Sequence, residues 1–239
     1  MSAIANNSQI FRNCVANGDT SKQCSDSLKY LVHFFGDITQ PLHCSSYERG
    51  GNQIEVKCQN RRRNFHSVRT SSGSVADIQC WDTYIPDILE DQIGGFDGWP
   101  TLLKSQIDSP SSSFLSQPSD WISCVDLDKI ESCAFAWAKE SNAFTCSYVY
   151  ANLDTSVDLA GDYAQGAFPI IETQIAKGGH HASGENAKGS RFETCGLFEF
   201  GCYWPAWLGQ QCKLRVQCSI LGITLGSRSI VAIWRAKRR

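Results

Sequence analysis

The chain has 239 residues, 42% of them hydrophobic and 19% charged, with a formal net charge of −2 and 12 cysteines. That is enough apolar material for a sizeable core, in one large domain or two small ones. No uninterrupted apolar run reaches the length of a membrane-spanning helix, because the most apolar stretch, residues 220–234, is interrupted by Arg228 and by glycines and serines.

Residues 1–20 lack the basic start and apolar centre of a secretory signal peptide. Asn6-Asn7-Ser8 fits a glycosylation sequon, and Cys14 and Cys24 flank a polar loop across which they can bridge. No cysteine pair has the CxxC spacing of a zinc ribbon; sequon and cysteines together favour a secretory origin. A helix is predicted from a cap at Ser25 or Asp26, with Leu28, Leu31, Val32 and Phe35 on one apolar stripe. Tyr30 and Phe34 make the opposite side apolar as well, so this helix reads as buried. His33 and Asp37 lie on that second side, four residues apart, so both can point at one metal. For an isolated His–Asp pair of this spacing a plain hydrogen bond is the favoured reading; His43 and His66 nearby reverse it in favour of the metal. Pro41 ends the helix and projects His43 from the turn that follows.

Gly50-Gly51-Asn52 reads as a turn, Ile54, Val56 and Cys58 as a short strand, and Arg61-Arg62-Arg63 as the tip of a hairpin. His66 follows. Residues 67–80 are polar and without period, a loop; Trp81 to Tyr84 open a new segment, with Pro86 in the first turn of a helix. Further helices are predicted over 99–107, 130–148 and 167–177, the last stopped by Gly178-Gly179. Residues 109–120 form a linker-like loop between them. Beyond residue 179 stand nine Lys and Arg against three Glu, so the acidic excess lies in the first 179 residues. An acidic body repels nucleic acid unless a cation bridges the contact. The basic end reads as a solvated tail.

SAIAN at 2–6, LVHFFGDITQPLH at 31–43, GGN at 50–52, NFH at 64–66, WDTYIP at 81–86 and IETQIAKGG at 171–179 occur in one order. In that order the chain resembles the single-strand-specific zinc nucleases of fungi and plants, the mung bean nuclease type. The resemblance implies a mainly α-helical, phospholipase C/nuclease-like fold with a short β-hairpin. It implies a nuclease domain over 1–179, with 180–239 outside the family fold. A secreted monomeric hydrolase of single-stranded DNA and RNA follows from it, active also as a 3′-nucleotidase, with three Zn²⁺ and no membrane partner. A zinc phospholipase is the more distant enzyme alternative, and GGN and WDT fit the nuclease branch better.

Carried over by residue, His33 and Asp37 match ligands of the paired zincs, Asp37 bridging them at the catalytic centre. His43, His66 and Asp82 match the complete protein ligand set of the remaining zinc. Asn52 and Tyr84 match positions that contact the base. Relatives supply four more ligands upstream of the SAIAN block, and this sequence contains none of them, so the paired zincs keep two. Relatives also place the matching Asp four residues after the matching His. Here His66 and Asp82 are sixteen apart, and 69–80 reads as an insertion that must loop out for the site to close. Arg49 and Arg61 stand where relatives present apolar or aromatic side chains. The alternative expectation is a non-catalytic or non-folding remnant with an incomplete zinc cluster.

Overall fold

The computed structural model describes residues 1–66, 79–108, 115–116, 120–121, 127–187, 199–201 and 213–215. It is mainly helical. Helix α1 spans Ser2–Asn17 and α2 spans Lys22–Thr39. The hairpin strands are β1, Glu55–Cys58, and β2, Arg61–Asn64. Then come α3, Ile85–Gln92; α4, Gly98–Ile107; α5, Ile130–Phe144; and α6, Asp162–Ala187. A further antiparallel pair joins β3, Glu199–Gly201, to β4, Lys213–Arg215. No helix among the described residues is long and apolar enough to cross a membrane.

Helix α2 begins earlier than its sequence suggests. Ser21, not Ser25 or Asp26, is the cap, its hydroxyl accepting from the Cys24 amide. The Cys14–Cys24 disulfide staples the start of α2 to the end of α1, as the spacing led one to expect. Leu31 and Phe35 are buried with Ile4, Ile130, Ala134 and Trp137, where α1, α2 and α5 meet. The second side of α2 is less buried than its composition suggests, since Tyr30 is 54% exposed and stacks on Phe34.

The hairpin tip is Gln59-Asn60, both left-handed at φ 52° and 59°, and not the arginine run, which forms β2. A two-residue loop with both positions at positive φ matches the twist of its strands. Asp158 pins this tip, its carboxylate accepting from the Gln59 and Asn60 amides. A second core lies between the hairpin, α3 and α6, built on Phe65, Trp81, Ile85, Leu159 and Ile171.

Two helices end differently from expectation. Helix α5 gives way to a wider, π-helical turn over Thr145–Val149. Helix α6 starts at Asp162 and runs through Gly178-Gly179 to Ala187. A glycine stops a helix where it turns left-handed, and neither of these is among the positive-φ residues. His181 stacks on Trp137 of α5 at 3.8 Å and holds the extension down. The predicted loops at 67–80 and 109–120, and most of the tail, lie largely outside the described residues.

Inside the second core, the Tyr163 hydroxyl donates to the Val149 carbonyl at 2.7 Å and accepts from Trp81 Nε1 at 3.0 Å. Both partners are buried, so removing that oxygen orphans a donor and an acceptor together. Tyr163→Phe is therefore expected to lower the unfolding free energy by about 1–3 kcal/mol, read by urea titration, with unchanged far-UV circular dichroism.

Candidate metal centre

Five segments converge at one end of α2. The helix ends at Thr39, and Pro41 converts the chain into a 3₁₀ turn, Pro41–Cys44, that carries His43. Asn142 of α5 holds this turn by donating to the Cys44 carbonyl. Next the backbone passes through four successive left-handed residues, Glu48, Arg49, Gly50 and Gly51. Gly50 is needed there: at φ +66°, a Cβ would sit 2.6 Å from the Leu42 carbonyl oxygen and 3.5 Å from His66 Nδ1. Strand β2 then delivers His66, and a π-helical turn, Cys80–Tyr84, delivers Asp82. The Trp81 amide donates to the Phe65 carbonyl at 3.1 Å, which brings His66 and Asp82 together although they are sixteen residues apart.

Asp82 is fully buried. Its Oδ1 lies 3.3 Å from His66 Nε2 and 3.4 Å from His43 Nε2. Gln40, also fully buried, donates to the same oxygen at 2.7 Å and accepts from the Leu42 amide through its own carbonyl. Asp82 Oδ2, His43 Nε2, His66 Nε2 and Asp37 Oδ1 are buried with no hydrogen-bond partner. Buried polar atoms are rarely left so, and several pointing together call for a cation. Separations of 3.3–3.4 Å match the edge of a tetrahedron whose ligands stand ~2.0–2.1 Å from a central Zn²⁺. Two imidazoles and a carboxylate are a donor set that zinc accepts.

The surrounding contacts prepare those ligands. The side-chain nitrogen of Asn52, which donates to the Arg49 carbonyl, lies 3.2 Å from His66 Nδ1 and packs that ring edge. His43 Nδ1 lies 3.2 Å from Asp37 Oδ1, and His43 Nε2 stays open to a cation. Asp37 Oδ2 faces His33 Nε2 at 3.3 Å on the more open side. No group of three ligand atoms that includes His33 lies within 4.8 Å among the described residues, whereas His43, His66 and Asp82 form such a group. A second set, Cys14, Asp19 and Cys24, has its sulfurs committed to the disulfide.

A cavity of about 360 Å³ opens onto the cluster, lined by Asp37, Ile38, Leu42, His43, Ser45, Arg49, Gly50 and His66. Tyr84 is not part of this lining; the Arg63 guanidinium covers one face of its ring at 3.8 Å. Asn52 is likewise absent from the lining and lies against His66. Sequence reasoning missed Gln40 and Arg63. Neither lies on a periodic stripe, and only the fold shows that Gln40 is buried beside Asp82.

The S1/P1 nuclease family model matches residues 1–181. Nuclease P1 of Penicillium citrinum is 34% identical over 189 residues, covering 75% of this chain and 62% of that relative. Nuclease PA3 of a Penicillium species matches with the same identity and coverage. Nuclease S1 of Aspergillus oryzae is 30% identical over 183 residues, 72% of this chain and 57% of the relative. The chain thus spans about three fifths of the length of the curated relatives it matches.

Charge sets the pH response of the metal-free cluster. Burial disfavours the charged form of His43, but Asp37 and Asp82 outweigh it and raise its pKa to about 9. Burial also opposes ionisation of Asp82 and Asp37; the imidazoles beside each prevail and hold both carboxyls well below the usual range. The folded imidazole binds its proton more tightly than the unfolded one. Its contribution is therefore full below about pH 6.5 and fades as pH rises through about 9. The carboxylates act oppositely: their contribution is full above about pH 4 and is lost as acid protonates them. The melting temperature of metal-free protein should fall between pH 6.5 and 9 by differential scanning fluorimetry, and His43→Gln should flatten that fall.

Proposed function

Because the chain belongs to the S1/P1 nuclease family, we propose that it is a zinc-dependent phosphodiester hydrolase of single-stranded DNA and RNA, and also a 3′-nucleotidase. The observation that carries this reading is the convergence of His43, His66 and Asp82, with unsatisfied buried donors and acceptors aimed at one point beside an open cavity. His43, His66 and Asp82 would hold one zinc, and His33 with Asp37 would contribute to a second position. Bound there, zinc supplies Lewis acidity for a phosphodiester and lowers the pKa of water at the site. The protein's own groups do the rest. Gln40 fixes Asp82, Asn52 packs against His66, and Asp37 stays ionised beside the cavity, where a carboxylate can hold a cation. Asn52 and Tyr84 belong to the base-contacting set by the same reading. The Cys14–Cys24 disulfide suits a chain that folds in an oxidising compartment, in keeping with a secreted enzyme.

One observation favours a second reading, a zinc protein that binds nucleotides without turnover: the His33–Asp37 half of the cluster lacks a third ligand among the described residues. Metal analysis and a cleavage assay separate the two. Under the enzyme reading, purified protein should cut single-stranded DNA in preference to duplex at mildly acidic pH, lose that activity to a chelator and regain it with Zn²⁺. Asp82→Ala should lower the zinc content and cut the rate by at least about a hundredfold, since it removes a ligand outright. Zinc-replete, folded protein that binds nucleotide but never hydrolyses it would leave the second reading standing.

Arg49 makes a separable contribution. It is exposed at the cavity wall, held in the left-handed run, and its guanidinium makes no ion pair among the described residues. In an otherwise acidic body this cation is placed to meet a phosphate. Arg49→Ala should weaken binding of single-stranded oligonucleotides to a similar extent for every base, and reduce the slope of log K against log salt by about 0.7, the single-strand value for one phosphate contact. Equilibrium fluorescence anisotropy across a salt series measures both.

A further inference from the structure

Cys58 closes β1, and Cys80 opens the π-helical turn that carries Asp82. Both side chains are fully buried and both are free cysteines in the structure, yet their sulfurs lie only 2.7 Å apart. Nonbonded carbon atoms settle ~3.5–4.0 Å apart and sulfur is larger, so two thiols cannot rest comfortably at this separation. A shared soft metal does not explain it, because neither cysteine belongs to a group of three ligating side chains among the described residues. Both backbones are fixed independently of the sulfurs. Cys58 pairs with Arg61 across the hairpin, whose tip Asp158 pins, and the Trp81 amide is bonded to Phe65. The fold therefore delivers the two sulfurs to one point.

From these positions we infer that Cys58 and Cys80 are an oxidation site: they form a disulfide that ties the hairpin to the turn bearing Asp82. The oxidant is a disulfide of another molecule, a small-molecule disulfide or an oxidoreductase, acting while the chain folds and both sulfurs are still accessible. One cysteine thiolate attacks that disulfide, forming a mixed disulfide and releasing one thiolate. The second cysteine thiolate then attacks the mixed disulfide at the protein sulfur and releases the other half of the oxidant. Two protein thiols lose two protons and two electrons, and the oxidant gains the two electrons as two thiols. Burial afterwards shields the bond from reductants. Asp82 follows Cys80 by two residues, so the link limits how far that carboxylate can swing from His43 and His66.

Peptide mapping of the full chain, expressed with oxidative folding and alkylated before digestion, tests the bond directly. Trypsin should yield residues 58–61 joined to residues 70–104, separating only on reduction. Cys58 recovered alkylated, or joined to any other cysteine, overturns the inference. The positioning role rests on the metal reading above and is tested apart. Cys80→Ala, loaded with Zn²⁺, should surrender the metal to a chelator at least about tenfold faster than the parent chain, the loss typical when a supporting contact behind a ligand is removed. An unchanged rate, with the linked peptide present, removes the positioning role and leaves the covalent bond in place.

Discussion

A carboxylate with no exposed surface sits where five segments of the chain meet, and the rest of the site is arranged around its charge. Asp82 is surrounded by two imidazoles and the amide of Gln40. Leaving such a buried charge without one of its partners is worth about 3–5 kcal/mol in the unfavourable direction, a large share of a domain's stability. The imidazoles answer part of that charge, and the atoms they leave unsatisfied mark where a divalent ion would answer the remainder. An ion bound there would couple metal binding to folding at this point.

The two cores hold this arrangement from opposite sides. Leu31 and Phe35 fix α2 against α1 and α5, which sets the line along which His33 and Asp37 point. Phe65 and Trp81, adjacent to His66 and Asp82, are fully buried in the other core and place those ligands by anchoring their neighbours. Gln174 of α6 bridges the cores, donating to the Thr39 carbonyl and the Ser141 hydroxyl. The backbone strain of the left-handed run at 48–51 sits between them, beside the cavity, where a turn must press against His66.

Much of this was legible from local pattern. His33, Asp37 and His43 share one helix end and the turn after it, so spacing and a proline locate them. Asp82 was harder, because sixteen residues separate it from His66 and no period relates them. Only backbone pairing of Trp81 with Phe65, a tertiary contact, brings them together. The arginine run was read as a tip because a charged triplet resembles a loop, whereas the turn chemistry lay in Gln59-Asn60. The glycine pair at 178–179 failed as a stop signal since packing on α5 outweighs a propensity term of about 1 kcal/mol per glycine. Tyr84 was matched by position alone, and its ring proves to be stacked under Arg63, a partner that sequence spacing does not reveal.

The hydrogen bond between Trp81 and Phe65 has a meaning for protein engineering. It acts as a clasp at the neck of the segment between His66 and Cys80, so the ligands on either side keep their distance whatever the length enclosed. Enlarging a closed loop adds only about 0.6 kcal/mol of entropy for each doubling. A foreign peptide, an affinity tag or a small reporter domain spliced in there would stand a few residues from His66 and Asp82 without driving those side chains apart.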